Sequence, residues 1–169
     1  FQGAKLLPQA GMNKGVTLSF QSMDDNVLEI IKRKNIKIDG FRDLMQRYRR
    51  ESIATYSEII IGLPGETYET FANGLDLLVR CGQHDSLQCY CAELLPNAEM
   101  NEPAYREKHG IQSAVVPVLH YHGTPGHDEH QEEYELVIAT ATLPPEDWLK
   151  CCRLAWAFQC CHCLSLTQL

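Results

Sequence analysis

Gly15 to Gln21, Gly-Val-Thr-Leu-Ser-Phe-Gln, is β-branched and mostly apolar, the pattern of a buried strand. Ser22-Met23-Asp24-Asp25 then offers N-cap residues and an acidic first turn. Val27, Leu28, Ile30 and Ile31 follow at helical spacing; Lys32, Arg33 and Lys34 suit a helix C-terminus, and Asn35 can stop it. A second helix is predicted from about Asp39 to Arg50, with Phe41, Leu44, Met45 and Tyr48 as its apolar stripe. Tyr56 to Ile61 is the next strand, and Ile59-Ile60-Ile61 reads as a fully buried run. Gly62-Leu63-Pro64-Gly65 breaks it. A helix from Glu66-Thr67 carries Phe71, Leu75 and Leu78 on one face before Gly82 ends it. Ser86 to Leu94 is a third strand, broken by Leu95-Pro96-Asn97.

Strands separated by amphipathic helices imply βαβ units and a parallel sheet with right-handed crossovers. The expected fold class is α/β. Strands near 15–21, 56–61 and 86–94 should be parallel neighbours in that order, forming an open sheet with helices on one face. Past Asn101 the pattern loosens: Glu102 to Gln131 is rich in Pro, Gly and His and reads as a long excursion. Leu136 to Thr142 is expected as a fourth, edge strand. Pro144-Pro145-Glu146-Asp147 is a helix-start signal, for a helix running to about Leu166 and apolar nearly all round. Such a helix is expected to be buried or to await a partner surface. The chain thus divides at 143/144, with 1–143 carrying the sheet and 144–169 starting an extension.

Length and charge narrow this picture. The 169 residues fit one domain and are too few for a complete eightfold α/β barrel, which takes roughly 250. A 44% hydrophobic content supports a packed core. Fifteen basic against twenty-two acidic side chains leave −7, the wrong sign for a general nucleic-acid or anionic-membrane binder. No run has the length of a membrane helix, and the chain opens with neither Met nor a signal peptide, as an excerpt would. The eight cysteines, at 81, 89, 91, 151, 152, 160, 161 and 163, include adjacent pairs awkward for a disulfide framework. They read as reduced packing residues of a cytoplasmic protein.

Ligands of parallel α/β folds bind at the carboxyl ends of the strands. Ser19 to Met23, Glu58 to Thr67 and Leu94 to Asn97 would share that rim. Gln21 could offer an acceptor and two donors to a polar ligand, or tie down its own loop. Arg33 could grip a carboxylate through paired hydrogen bonds, or sit solvated at a helix end. Glu58 could accept from an ammonium or hydroxyl group, or be solvated. Gly62 and Gly65 allow close backbone approach or simply make a strand-to-helix turn.

Together these residues carry a family resemblance. Leu18-Ser19-Phe20-Gln21-Ser22-Met23, then Val27-Leu28 and Ile31-Lys32-Arg33-Lys34-Asn35, resemble the fourth-strand segment of radical S-adenosylmethionine (radical SAM) enzymes. Glu58-Ile59-Ile60-Ile61-Gly62-Leu63-Pro64-Gly65-Glu66-Thr67 resembles their fifth strand and turn, and Cys89 to Met100 the sixth. Pro103 to Ile111 and the helix around Asp147-Trp148 look most like the cobalamin-binding branch. The resemblance implies a partial TIM-like barrel, of which this chain is the later half. It implies a 4Fe-4S cluster that cleaves S-adenosylmethionine reductively to a 5′-deoxyadenosyl radical, and, for the cobalamin-binding branch, cobalamin. It places Gln21 and Arg33 on polar parts of S-adenosylmethionine, Glu58 facing the same ligand, Ile60 against the adenine and Gly62 in the adjoining turn.

The family's cluster motif, Cys-x3-Cys-x2-Cys, does not occur here. The cluster ligands and the first three strands are therefore expected outside this chain, which alone should be inactive. Its partners should be a small-molecule cofactor and substrate and the other half of the barrel, not nucleic acid or a membrane. The rival reading is a zinc-binding or interaction module built on His120, His122, His127 and His130 with the C-terminal cysteines.

Overall fold

A computed structural model describes residues 15–118, 132–164 and 166. Strands β1 (Val16–Gln21), β2 (Thr55–Ile61) and β3 (Ser86–Cys91) form a parallel sheet in that order. Helices α1 (Asp25–Ile30) and α2 (Ile38–Arg50) fill the first crossover, and α3 (Tyr68–Arg80) fills the second. A short 3-10 turn (Glu99–Asn101), α4 (Pro103–His109), β4 (Gln112–Pro117), β5 (Glu133–Ala139) and α5 (Pro145–Phe158) follow. The parallel order predicted from the βαβ pattern is the order found.

The sheet has two unlike faces. Thr55, Ser57, Ile59 and Ile61 of β2 are buried, whereas Tyr56, Glu58 and Ile60 are not. The isoleucine run therefore alternates like any half-covered strand and is not buried throughout, because helices cover one face only. On that face Phe20, Ile59, Ile61 and Leu87 share a core with Phe41 and Met45 of α2, Phe71, Leu75 and Leu78 of α3, and Cys151 and Ala155 of α5. Polar groups at its base are paired: Gln83 donates to Ser57 Oγ at 2.7 Å and accepts from Thr55 Oγ1 at 3.0 Å. The opposite face leaves Tyr90 of β3 52% exposed. A second, smaller core of Val27, Leu63, Ala92, Leu94, Ile111 and Val137 caps the carboxyl ends of the strands.

The helix ends share one device. After α1, Arg33 N–H donates to Leu28 O at 2.8 Å and Lys32 N–H to Glu29 O at 3.1 Å, with Lys32 left-handed at φ 56°. This is the Schellman arrangement. It recurs after α2 around Ser52 (φ 52°) and after α3 around Gly82 (φ 99°). Serine bears a left-handed penalty that glycine escapes, partly offset by glycine's greater freedom when unfolded. Ser52→Gly should therefore stabilise the fold by about 0.5–1 kcal/mol, read as a higher denaturation midpoint. A lower midpoint would show that Ser52 makes a contact worth more than the relieved strain.

The later elements depart from the sequence expectation. The ladder of β3 ends at Cys91 rather than Leu94. Ala92 to Leu94 instead hold β5: Leu94 N–H donates to Glu135 O at 2.8 Å and Val137 N–H to Ala92 O at 2.9 Å. The predicted edge strand at 136–142 begins earlier, at Glu133, and pairs antiparallel with β4. Both β4 and α4 lie inside the stretch read as an excursion. Pro103 at the helix start and left-handed Gly110 at its end were the local signals for α4. Helix α5 stops at Phe158 and a π-turn, Gln159–Cys163, follows. It is not buried all round, because Lys150 and Arg153 interrupt the apolar pattern and Trp156 is 70% exposed. His120, His122, His127 and His130 lie outside the described residues. No helix among the described residues is long and apolar enough to cross a membrane.

Candidate functional site

A groove opens where β1, β2 and β3 end. One part, about 310 Å³, is lined by Gln21, Arg33, Ile60, Leu63, Leu95 and Tyr105 among others. An adjoining part of about 300 Å³ shares Gln21, Ile60, Ala92, Glu93 and Leu95 with it and adds Glu58 and Tyr90. Four sequence-predicted residues, Gln21, Arg33, Glu58 and Ile60, thus meet in one groove.

Gln21 is aimed by strain. The β1–β2 register shifts between Ser19 and Gln21, and Gln21 takes φ 68°. A non-glycine residue held there costs about 1–3 kcal/mol, a cost typical of functional sites. Its side chain does not tie the following loop. Asp24 accepts from Val27 N–H at 3.0 Å, Ser22 Oγ accepts from Asp24 N–H at 3.2 Å, and Asn35 Nδ2 donates to Ser22 O at 2.6 Å. The Gln21 carboxamide has no hydrogen-bond partner among the described residues.

Arg33 is aimed by the α1 cap. The helix ends at Ile30, so Arg33 is not a last-turn cation; it follows the left-handed Lys32, which turns the chain toward the groove. Lys32 itself pairs with Glu99 across the rim at 2.5 Å. Arg33 forms no ion pair among the described residues. Glu58 accepts from Ser19 Oγ at 2.5 Å on the open face of the sheet. Ile60 presents an apolar wall common to both parts of the groove.

Gly62 is not brought into the groove lining. It is buried at φ 93°, and a Cβ there would lie 3.4 Å from Val137 Cγ1 and 3.6 Å from Trp148. Its N–H donates to Glu66 Oε2 at 3.0 Å. Glu66 is only 1% exposed, and burial pushes its carboxyl up to about 8, against the opposing pull of the Gly62 and Leu63 amides. Sequence reasoning took Glu66 only as the start of a helix. The actual N-cap is Thr67, in a capping box with Thr70, and Glu66 turns inward behind it. Its apolar setting, Ile-Ile-Ile-Gly-Leu-Pro-Gly, was the available signal. A larger cavity of about 870 Å³ lies at the opposite, amino ends of β2 and β3, beside Arg49, Thr55, His84 and His162. It is remote from the rim where parallel sheets bind ligands.

The cysteines do not form a cluster site. All eight carry free thiols, and no three potential metal ligands group together among the described residues. Burial pushes Cys89 and Cys151 up to about 12, so both are protonated thiols packed on the core.

No family model matches the chain. Over 163 residues it is 40% identical to the cobalamin-dependent radical SAM methyltransferase TokK of Streptomyces tokunonensis, covering 96% of this chain and 24% of that protein. It is 37% identical, with the same coverage, to 2-(S-pantetheinyl)-carbapenam-3-carboxylate methyltransferase of Streptantibioticus cattleyicolor. The chain therefore spans about a quarter of the length of these curated relatives. Among solved structures, the radical S-adenosylmethionine methyltransferase TsrM of Kitasatospora setae aligns at TM-score 0.60 and 20% identity, covering 91% of this chain and 33% of that one. The fold is the open parallel part of a radical SAM α/β barrel. Over nearly its whole length the chain is thus similar to radical SAM methyltransferases, one of them named cobalamin-dependent. The zinc-module alternative finds no support among these relatives.

Proposed function

We propose that the whole protein is a cobalamin-dependent radical SAM methyltransferase and that this chain supplies much of its S-adenosylmethionine groove. The observation that carries the reading is the convergence of Gln21, Arg33, Glu58 and Ile60 on one rim. The donor set suits a nucleoside joined to an amino acid. Ile60 offers an apolar wall to a base. The unpartnered Gln21 carboxamide offers donors and an acceptor to sugar hydroxyls. Arg33 offers a planar fork to a carboxylate. Glu58, already accepting from Ser19, retains a lone pair for a ligand hydroxyl or ammonium. Gly62 contributes at one remove, by anchoring the turn below the groove on Glu66.

S-adenosylmethionine held beside a 4Fe-4S cluster supplies the radical chemistry, and cobalamin the methyl relay, when these groups are bound. The Cys-x3-Cys-x2-Cys spacing does not occur in this chain, so the cluster's ligands are assigned to another part of the protein. Residues 1–143 then form the later half of the barrel, and 144–169 lead into an extension. The open sheet face, with Tyr56 and Tyr90 exposed, is where the remaining strands would close. The setting is cytoplasmic, and the partners are small molecules rather than nucleic acid or membrane.

The test uses anaerobically reconstituted full-length protein, which should turn S-adenosylmethionine into 5′-deoxyadenosine. The isolated chain, treated alike, should take up no stoichiometric iron–sulfur cluster. Stoichiometric iron and 5′-deoxyadenosine from the isolated chain would move the cluster to the cysteines at 160–163.

A further inference from the structure

We infer that Cys91 and Cys152 are a redox-modification site, a thiol pair that a small-molecule disulfide converts into a bond pinning α5 to the end of β3. Their sulfurs lie 4.0 Å apart although the residues are 61 positions apart in sequence. Both are half-buried, and Cys91 lines the groove, so a reagent can reach it. Cys81 and Cys151, by contrast, are 2% and 0% exposed. A disulfide needs the sulfurs at about 2.05 Å, a closure within reach of side-chain rotation at two adjoining elements.

The pair is chemically asymmetric. The hydrogen bond with Cys152 holds the Cys91 thiol below its ordinary range, although burial opposes it. The same hydrogen bond, together with burial, raises Cys152. Cys91, which lines the groove, is the thiol a reagent meets first and so the attacking thiolate. It displaces one thiol from the small disulfide and is left as a mixed disulfide. Cys152 then loses its proton and attacks the Cys91 sulfur, expelling the second small thiol. Two protein thiols are oxidised and one small disulfide is reduced to two thiols. The bond forms one residue before Ala92 and Glu93, which line the groove and fasten β5.

The experiment treats reduced full-length protein with excess glutathione disulfide, alkylates the remaining thiols, and maps peptides without reduction. Cys91 and Cys152 should lose alkylation together and appear in one linked peptide pair that dithiothreitol separates. Fragment-ion sequencing distinguishes Cys152 from Cys151. In Cys91→Ser the Cys152 thiol should remain alkylatable. The oxidised protein should melt at a higher temperature than the reduced one, and Cys152→Ser should abolish that shift. A glutathione adduct that persists on Cys91, a bond from Cys152 to another cysteine, or two thiols that stay alkylatable would each overturn the assignment.

Discussion

Arg33→Ala in the full-length protein should weaken S-adenosylmethionine binding by about 1.5–3 kcal/mol, the usual worth of a hydrogen bond to a charged group. That is a loss of roughly tenfold to somewhat over a hundredfold in affinity. The neighbouring cation, Lys32, does not line the groove and is already paired with Glu99, so it cannot readily substitute. Arg33 is exposed, so water competes for its guanidinium and the lower half of the range is the better expectation. Folding should be little affected, because the cap uses the Arg33 backbone and not its side chain. Arg33→Lys should recover only part of the loss, since an ammonium lacks the planar fork. Equilibrium binding or competition measurements decide the matter; unchanged affinity in Arg33→Ala would remove the residue from the site.

Stability should fall as pH rises from about 4.5 to about 8, because Glu66 keeps its proton in the folded protein and sheds it when unfolded. The sign follows from proton counting. Below 4.5 both states hold the proton and the group contributes no slope. Between 4.5 and 8 the folded state binds more protons, so each pH unit favours unfolding by about 1.4 kcal/mol. Above 8 both states are ionised and the slope vanishes. The full effect is of order 4–5 kcal/mol as an upper bound. Glu66→Gln preserves an acceptor for the Gly62 amide while removing the titration. Melting temperatures of wild type and variant, compared across this pH range, should diverge progressively in favour of the variant. A constant difference would mean that Glu66 is not the titrating group.

These expectations rest on parts of the fold that were unequally legible in the sequence. β1, β2, β3 and α3 could be read locally, since the apolar run of β2 ended at Gly62, the Thr67 region opened a helix and Gly82 closed it. The common rim of Gln21, Glu58 and Ile60 followed once the strands were taken as parallel, whereas Arg33 was placed there by the family resemblance. The strain at Gln21 could not be read, because it arises from a register shift against β2. Nor could the turn that presents Arg33, since a lysine occupies the left-handed position where glycine would have announced it. β4 was hidden because its identity depends on pairing with β5, distant in sequence. The inward turn of Glu66 was hidden for a related reason: local rules favour acids in a first helical turn and say nothing of the apolar ceiling formed by distant elements.

The partner exchange at the end of β3 gives the groove a mechanical neighbour. The backbone of Ala92 and Leu94 carries the hydrogen bonds that fasten β5, while Ala92 and Glu93 line the groove. One short piece of chain is thus both wall and hinge pin. Ala92 and Leu94 grip β5 near its middle, at Glu135 and Val137, so the wall of the groove and the β4–β5 ladder are one connected piece of backbone. A ligand that displaces Glu93 therefore loads the ladder as well, and amide exchange along β5 is where its arrival should register.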